Sequence, residues 1–286
     1  MLRRMLPLLA VAGMSMLGTT IARAGDSVVV TIVDGRKAKA DISLVKPGGG
    51  HYTAEFEIEF EAEGLENLTP ECIGITADVL DASEIANVEG RLPQSWQTID
   101  ADFPVRVTVE PPVGCGLAFH NDYDVSLDTG DLVYEPFSKY RLVKAPVGGE
   151  FRYVTSSVTS GSVRSRGSSG GFSEFVMIKD STPNYPTDCR DEYDGIATRL
   201  ATAPMSPTVR RMLETDLAVS RAAYDAGNYA DAIARLATFD AHCVESAGAA
   251  LPNRWRSARD LDNVEGDLAG RIDNLRFMMG RLEGSP

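Results

Sequence analysis

The stretch HYTAEFEIEFEAE, residues 51–63, decides how the first half of the chain folds. Tyr52, Ala54, Phe56, Ile58, Phe60 and Ala62 alternate with Thr53, Glu55, Glu57, Glu59, Glu61 and Glu63. A period of two over this length describes a strand with one face in an apolar core and the other in water. The preceding segment, Lys37 to Val45, offers it a partner. If Lys46-Pro-Gly-Gly-Gly50 is a five-residue hairpin loop, Val45 faces His51. That register sets Lys37 opposite Glu59, Lys39 opposite Glu57, Ala40 opposite Phe56 and Ala38 opposite Ile58. Both faces match at once, and a slip of one residue would undo both. The row of glutamates is therefore a solvated strand face balanced by lysines rather than a cation site. One difficulty remains upstream. A two-residue turn at Asp34-Gly35 would put Val28, Val30 and Ile32 of the strand Ser27–Val33 on the lysine face. Either that loop is longer, or the first strand is covered on both sides.

Working outward, further strands are predicted at Cys72–Leu80, Val105–Glu110, Asp122–Asp128, Tyr140–Lys144, Phe151–Arg164 and Phe172–Lys179. Many short strands separated by turn residues predict an antiparallel β-sandwich. An immunoglobulin-like arrangement is the first to test, because Cys72, Trp96 and Cys115 occur in that order. Trp96 nevertheless sits in Pro93-Gln-Ser-Trp96, outside any predicted strand.

After Asp180 the period changes. Tyr193, Ile196 and Leu200 form a helical stripe that ends at Pro204. Ser206 followed by Pro207 is a helix start, and Gly227 is a stop. Asn228 caps a further helix whose stripe is Tyr229, Ile233, Leu236, Phe239 and Cys243. A last helix is predicted from about Asn253, carrying Trp255, Leu261, Val264, Leu268, Ile272, Leu275 and Met279 on one face. The expected architecture is thus α+β in two parts: a sandwich domain over 25–180, a linker at 181–187 and an antiparallel helical bundle over 188–286.

Residues 1–24 read as a signal peptide. Arg3 and Arg4 precede an apolar run from Met5 to Leu17, and Ala22-Arg23-Ala24 is a small-x-small cleavage site. The run is too short to span a bilayer, and no later stretch is long and apolar enough. Export to the periplasm or medium is expected. The mature chain then carries 25 basic and 41 acidic residues, three arginines having left with the signal, for a net charge of −16. Such a surface repels nucleic acid and suits a cationic protein or polymer partner. Four cysteines in an exported chain predict two disulfides; three connectivities are possible, and with two cysteines in each half the local pairing Cys72–Cys115 with Cys189–Cys243 is favoured. Spacings of 43, 74 and 54 residues between them offer no zinc site.

No catalytic, cofactor or metal constellation is assigned. Gly167-Ser-Ser-Gly-Gly171 satisfies G-x-S-x-G, but a nucleophile elbow needs a helix after it and Phe172 to Lys179 reads as a strand. His51, His120 and His242 lack ligand spacing. Asp122, Asp124, Asp128 and Asp131 gather around Gly130, where calcium is one reading and the wet face of a strand the other. Ser156 to Gly171 is rich in Ser and Gly and holds Arg164 and Arg166, a flat edge strand or a cationic ligand-facing loop.

Tyr224-Asp-Ala-Gly-Asn-Tyr-Ala-Asp-Ala-Ile-Ala-Arg-Leu236 resembles the elbow of tetratricopeptide-type hairpins. With Phe239, Val244, Gly248 and Leu251, it is similar to the FIMAH-type helical module of large secreted microbial proteins. The resemblance covers about 60 residues and implies an accessory, non-catalytic part. The expected function is a non-enzymatic exported binding or structural protein of the bacterial envelope or extracellular space. A hydrolase acting on an envelope polymer through carboxylates is the alternative.

Overall fold

The computed structural model describes residues 25–159 and 161–284, so the expected signal peptide and its cleavage site lie outside the described residues. Strands β1 (Ser27–Val33), β2 (Lys37–Val45) and β3 (His51–Phe60) form an antiparallel meander. Val45 faces His51, and Lys37 faces Glu59, Lys39 faces Glu57, Ala40 faces Phe56 and Ala38 faces Ile58. The β1–β2 loop is the longer of the two alternatives. Val33 pairs with Lys37, leaving three residues between them. Asp34 and Gly35 both adopt positive φ, 51° and 69°. Val28 therefore faces Ile42 and Val30 faces Ala40, on the apolar side.

The meander continues through β8 (Tyr123–Thr129), β12 (Val163–Ser169) and β11 (Thr155–Thr159). A second antiparallel sheet runs β10 (Arg152–Tyr153), β9 (Tyr140–Ala145), β13 (Glu174–Asp180), β6 (Val105–Val109) and β4 (Ile75–Val79), with β5 (Gln97–Ile99) also on β13. Phe56, Ile58, Val125 and Leu127 of the first sheet meet Val105, Val107, Leu142 and Phe175 of the second in one apolar core. Only Val154 separates β10 from β11, so the chain steps between sheets and closes that edge. The expected Phe151–Arg164 strand is thus broken into pieces. The strand order is not the immunoglobulin one, and Trp96 lies in the turn before β5, donating to Asp180 Oδ1 at 3.2 Å.

Short helices α1 (Pro70–Ile73) and α2 (Ala82–Glu89) interrupt the strands. The first occupies the start of the expected Cys72–Leu80 strand. The second begins with a capping box, Asp81 and Glu84 exchanging hydrogen bonds with each other's backbone. The C-terminal half holds α3 (Tyr185–Thr202), α4 (Pro207–Asp225), α5 (Tyr229–Ser246) and α6 (Val264–Leu282). Ser206 Oγ accepts from Val209 N at 3.2 Å, and Gly227 ends its turn at a φ of 74°.

The last helix does not begin at Asn253. Residues Arg254–Arg256 form β14, paired with β7 (Ala118–His120) of the β half. Asn263 caps α6, accepting from Gly266 N at 3.1 Å. The reason is aromatic. Trp255 stacks on Phe119 with centroids 5.4 Å apart and meets Phe172 edge-on at 4.6 Å. A continuous helix would withdraw it from that cluster. The helices also share a core with the second sheet: Val143, Ala145, Val176 and Ile178 pack with Tyr193, Leu213, Phe239, Leu268 and Met279. The two halves, expected to be self-contained, bury their apolar faces against each other.

Cys72 in α1 is bonded to Cys115, with Cα atoms 5.5 Å apart. Cys189 and Cys243 are not joined, a correction to the expected second bridge; each is a buried free thiol. Cys189 lies on α3 and Cys243 on α5, each facing apolar packing as a small hydrophobe does.

Candidate functional site

The residues singled out in the sequence meet only as neighbours across the β8–β12 ladder, Asp128 with Arg164 and Asp124 near Arg166, and form no single site. Asp131 accepts from Lys46 Nζ at 2.6 Å and Thr53 N at 2.8 Å, and Asp128 accepts from Arg164. Asp124 faces a shallow trough of about 370 Å³ on the outer face of the first sheet, beside Lys37, Glu59, Ser126 and Arg166. Among the described residues, no group of three His, Cys, Asp or Glu side chains is placed to hold a metal. His51, His120 and His242 stand on β3, β7 and α5; His242 Nδ1 pairs with Asp216 at 2.7 Å. Ser169 ends β12 in a turn between strands.

Two buried polar clusters, neither legible beforehand, lie on the second sheet instead. The first surrounds Lys144 of β9. Its side chain shares the inner side of the sheet with Leu142 and, across the ladder, Phe175. Lys144 Nζ donates to Ser169 Oγ and Gly171 O, each at 2.5 Å, and Tyr123 Oη donates to the same carbonyl at 2.8 Å. Burial drives the Lys144 ammonium well below its ordinary value, and the nearby Arg152 guanidinium adds to this. A serine beside a lysine whose charged form burial disfavours is, in chemical terms, a nucleophile beside a base. Ser169 is 0% exposed, however, and Lys144 6%. Helix α6 seals them. A Cβ on Gly270 would lie 2.3 Å from Ser168 O, and one on Gly170 2.5 Å from Asp267 N.

Arg152 links this cluster to the helices. Its Nη2 reaches Asp267 Oδ1 of α6 at 2.7 Å. Asp267 also takes Arg199 at 3.0 Å and Arg271 at 3.5 Å, and Arg271 takes Glu192 of α3 at 2.9 Å. Burial alone would raise Asp267, but Arg152, Arg271 and Arg199 together hold it far below the usual carboxylate range.

The second cluster lies outside the same sheet, against the start of α3. Asp180, at the end of β13, accepts from Trp96 Nε1, from Gln97 Nε2 and from Tyr153 Oη. Beside it stands Asp188, 4% exposed, whose Oδ1 is buried and accepts no hydrogen bond. Burial first, then the charges of Asp180 and Asp191, push the Asp188 carboxyl up to about 7. Asp188, Asp191, Glu192, Gln94, Phe151 and Tyr153 line a cavity of about 100 Å³. Asp188 Oδ1 is one of several buried side-chain atoms without a hydrogen bond, Asp128 Oδ1 and Glu265 Oε2 being the other carboxylate oxygens, and it belongs to a residue that lines a cavity.

An acidic seam completes the picture. Burial and the neighbouring Asp273 and Asp124 raise Asp122 to about 7, while burial, Asp122 and Asp240 raise Glu265 to about 8.

Residues 11–283 match the model of a family of unknown function, DUF6689, and the chain belongs to that family. The match runs across both halves of the fold and both clusters. No curated protein and no solved structure matches the chain.

Proposed function

We propose that this is a non-enzymatic exported protein of the bacterial envelope or extracellular space that works by binding. The observation that supports this is the contrast in access between the two clusters. The nucleophile–base pair Ser169–Lys144 is filled in to the backbone by α6, whereas the cavity beside Asp188 carries carboxylates and aromatic walls without a Ser, Cys or His nucleophile. A binding site needs the second arrangement and not the first. The likeness of α4–α5 to FIMAH-type hairpins supports an accessory role. The Cys72–Cys115 bridge suits an oxidising compartment, and among the described residues no helix is long and apolar enough to cross a membrane. The charge of the mature chain supports a cationic protein or polymer partner. A hydrolase acting through carboxylates is the second reading, favoured by the raised Asp188 alone.

The experiment is a pull-down from envelope extract at low and high salt, run beside a panel of hydrolase substrates. Salt-sensitive capture without turnover is expected. Turnover that Asp188→Asn abolishes while the fold is kept would overturn the reading in favour of the hydrolase.

A further inference from the structure

We propose that the cavity between the second sheet and α3 is a binding site for a small organic ammonium group, with Asp188 as its counter-ion. This rests on the binding reading above and narrows it to one ligand class. The argument begins with charge. Besides Asp188 and the Tyr153 hydroxyl, three ionisable groups line the cavity, Arg152, Asp191 and Glu192, and Asp180 acts on Asp188 from behind Tyr153. Arg152 is held by Asp267 at 2.7 Å, and Glu192 by Arg271 at 2.9 Å. Asp180 accepts from Trp96, Gln97 and Tyr153. Arg141, a cation whose charge acts on Asp188, spends its donors on the neutral Ser138 O, Tyr140 O and Tyr185 hydroxyl. Asp191 receives a single donor, Gln94 Nε2 at 3.2 Å. The neutral partners of Asp180 and Arg141 leave both charged, so Asp180, Asp188 and Asp191 stand against Arg141 and the balance beside the cavity is negative when the carboxyls are ionised.

Size and wall chemistry choose among cations. The cavity, of about 100 Å³, has room for a methylammonium-sized group. A metal ion would want three or more oxygen ligands converging, which the described residues do not offer. An ammonium needs one or two carboxylates and gains from aromatic surface, here Tyr153 and Phe151. The open face of Phe151 is limited, because the Arg91 guanidinium lies 4.6 Å from its centroid, so Tyr153 carries this contact. The group bound is the end of a free amine, or of an amine displayed on a larger partner.

The test is thermal unfolding of the full mature chain with methylammonium chloride against sodium chloride at equal ionic strength, from about 10 mM upward. At about pH 8, methylammonium raises the melting temperature above the sodium control. The apparent affinity falls about tenfold one pH unit below the Asp188 midpoint of about 7, because the protonated carboxyl is no counter-ion. Asp188→Asn, checked as folded by circular dichroism, abolishes the difference, and Asp191→Asn weakens it several-fold. Equal shifts with both salts, or a shift that Asp188→Asn keeps, would overturn the site. Should Asp188→Asn fail to fold, the pH dependence and Asp191→Asn decide the matter in the same way. Capture of an envelope partner that survives Asp188→Asn would remove this site and leave the binding function. Loss of the ammonium effect together with the absence of any capture would remove both.

Discussion

Lys144 and Asp188 are each buried against the second sheet, one on either side of it, and each is pushed toward its neutral form mainly by burial. Lys144 has its hydrogen bonds met by Ser169 and Gly171, and α6 and Trp255 close the space around it. Asp188 keeps an oxygen without a partner and has a cavity beside it. Burying a polar group costs little once it is hydrogen-bonded and a good deal when it is not. The first cluster is thus a structural joint. The second is a place where the fold tolerates an unmet group, and such tolerance points to a ligand.

The comparison can be broken most forcefully at the sealed end. Ser257, two residues after Trp255, bonds the Cys115 loop through Gly116 N and Val113 O, so disulfide and tryptophan hold the same end. Replacing both Cys72 and Cys115 by Ser opens a loop of 43 residues and should cost about 4 kcal/mol in urea unfolding. Cys189→Ser has no loop to open and should cost far less. Thiol titration of the denatured, unreduced chain should find two thiols. Trp255→Ala should cost about 3 kcal/mol, and signals from β and helical parts should be lost in one transition because the core crosses between them. Two separate transitions would restore the picture of independent domains.

Lys144→Ala should cost about 2 kcal/mol, since it leaves Gly171 O without its lysine donor and a void among apolar neighbours. Asp188→Asn should act in the opposite direction. The folded pKa is raised above the unfolded one, so the ionised carboxyl disfavours the fold, and the stability it contributes at low pH is lost as pH rises toward about 7. Near pH 8 the variant should therefore exceed wild type by about 1 kcal/mol, with the gain shrinking as pH falls. Asp122 and Glu265 are raised likewise, to about 7 and about 8, so wild-type stability should decline between about pH 5 and 7, where the three carboxyls outweigh the opposite slope of the lowered Lys144 ammonium. A flat profile would show that these carboxyls are solvated after all.

What was legible in the sequence follows the same division. The β2–β3 ladder was readable to the residue, because alternation and opposed charges constrain one register. The helix start at Ser206 is written in its capping chemistry and Pro207; Asn228 stands at the next start but makes no side-chain cap hydrogen bond. Helix α2 is equally marked in the sequence by the capping box of Asp81 and Glu84. Trp255 misled because its spacing continues the stripe of α6, and only the three-dimensional aromatic cluster pulls it onto β7. The polar clusters had no linear signature. Lys144, Arg152, Ser169 and Asp267 come from four separate elements, and Asp188 reads in the sequence as the first residue of the bundle, next to a linker, because its surroundings come from Tyr153 and Asp180 across the sheet. Charge in a sequence is visible, but whether its partner arrives is not.

The most direct measurement is the titration of the Asp188 carboxyl carbon by NMR, with and without methylammonium, assigned by its loss in Asp188→Asn. Without the ion the midpoint should fall near 7, and with it the midpoint should move down, since a bound cation favours the carboxylate. A midpoint in the ordinary aspartate range, or one that methylammonium leaves unmoved while sodium is held constant, would contradict the account.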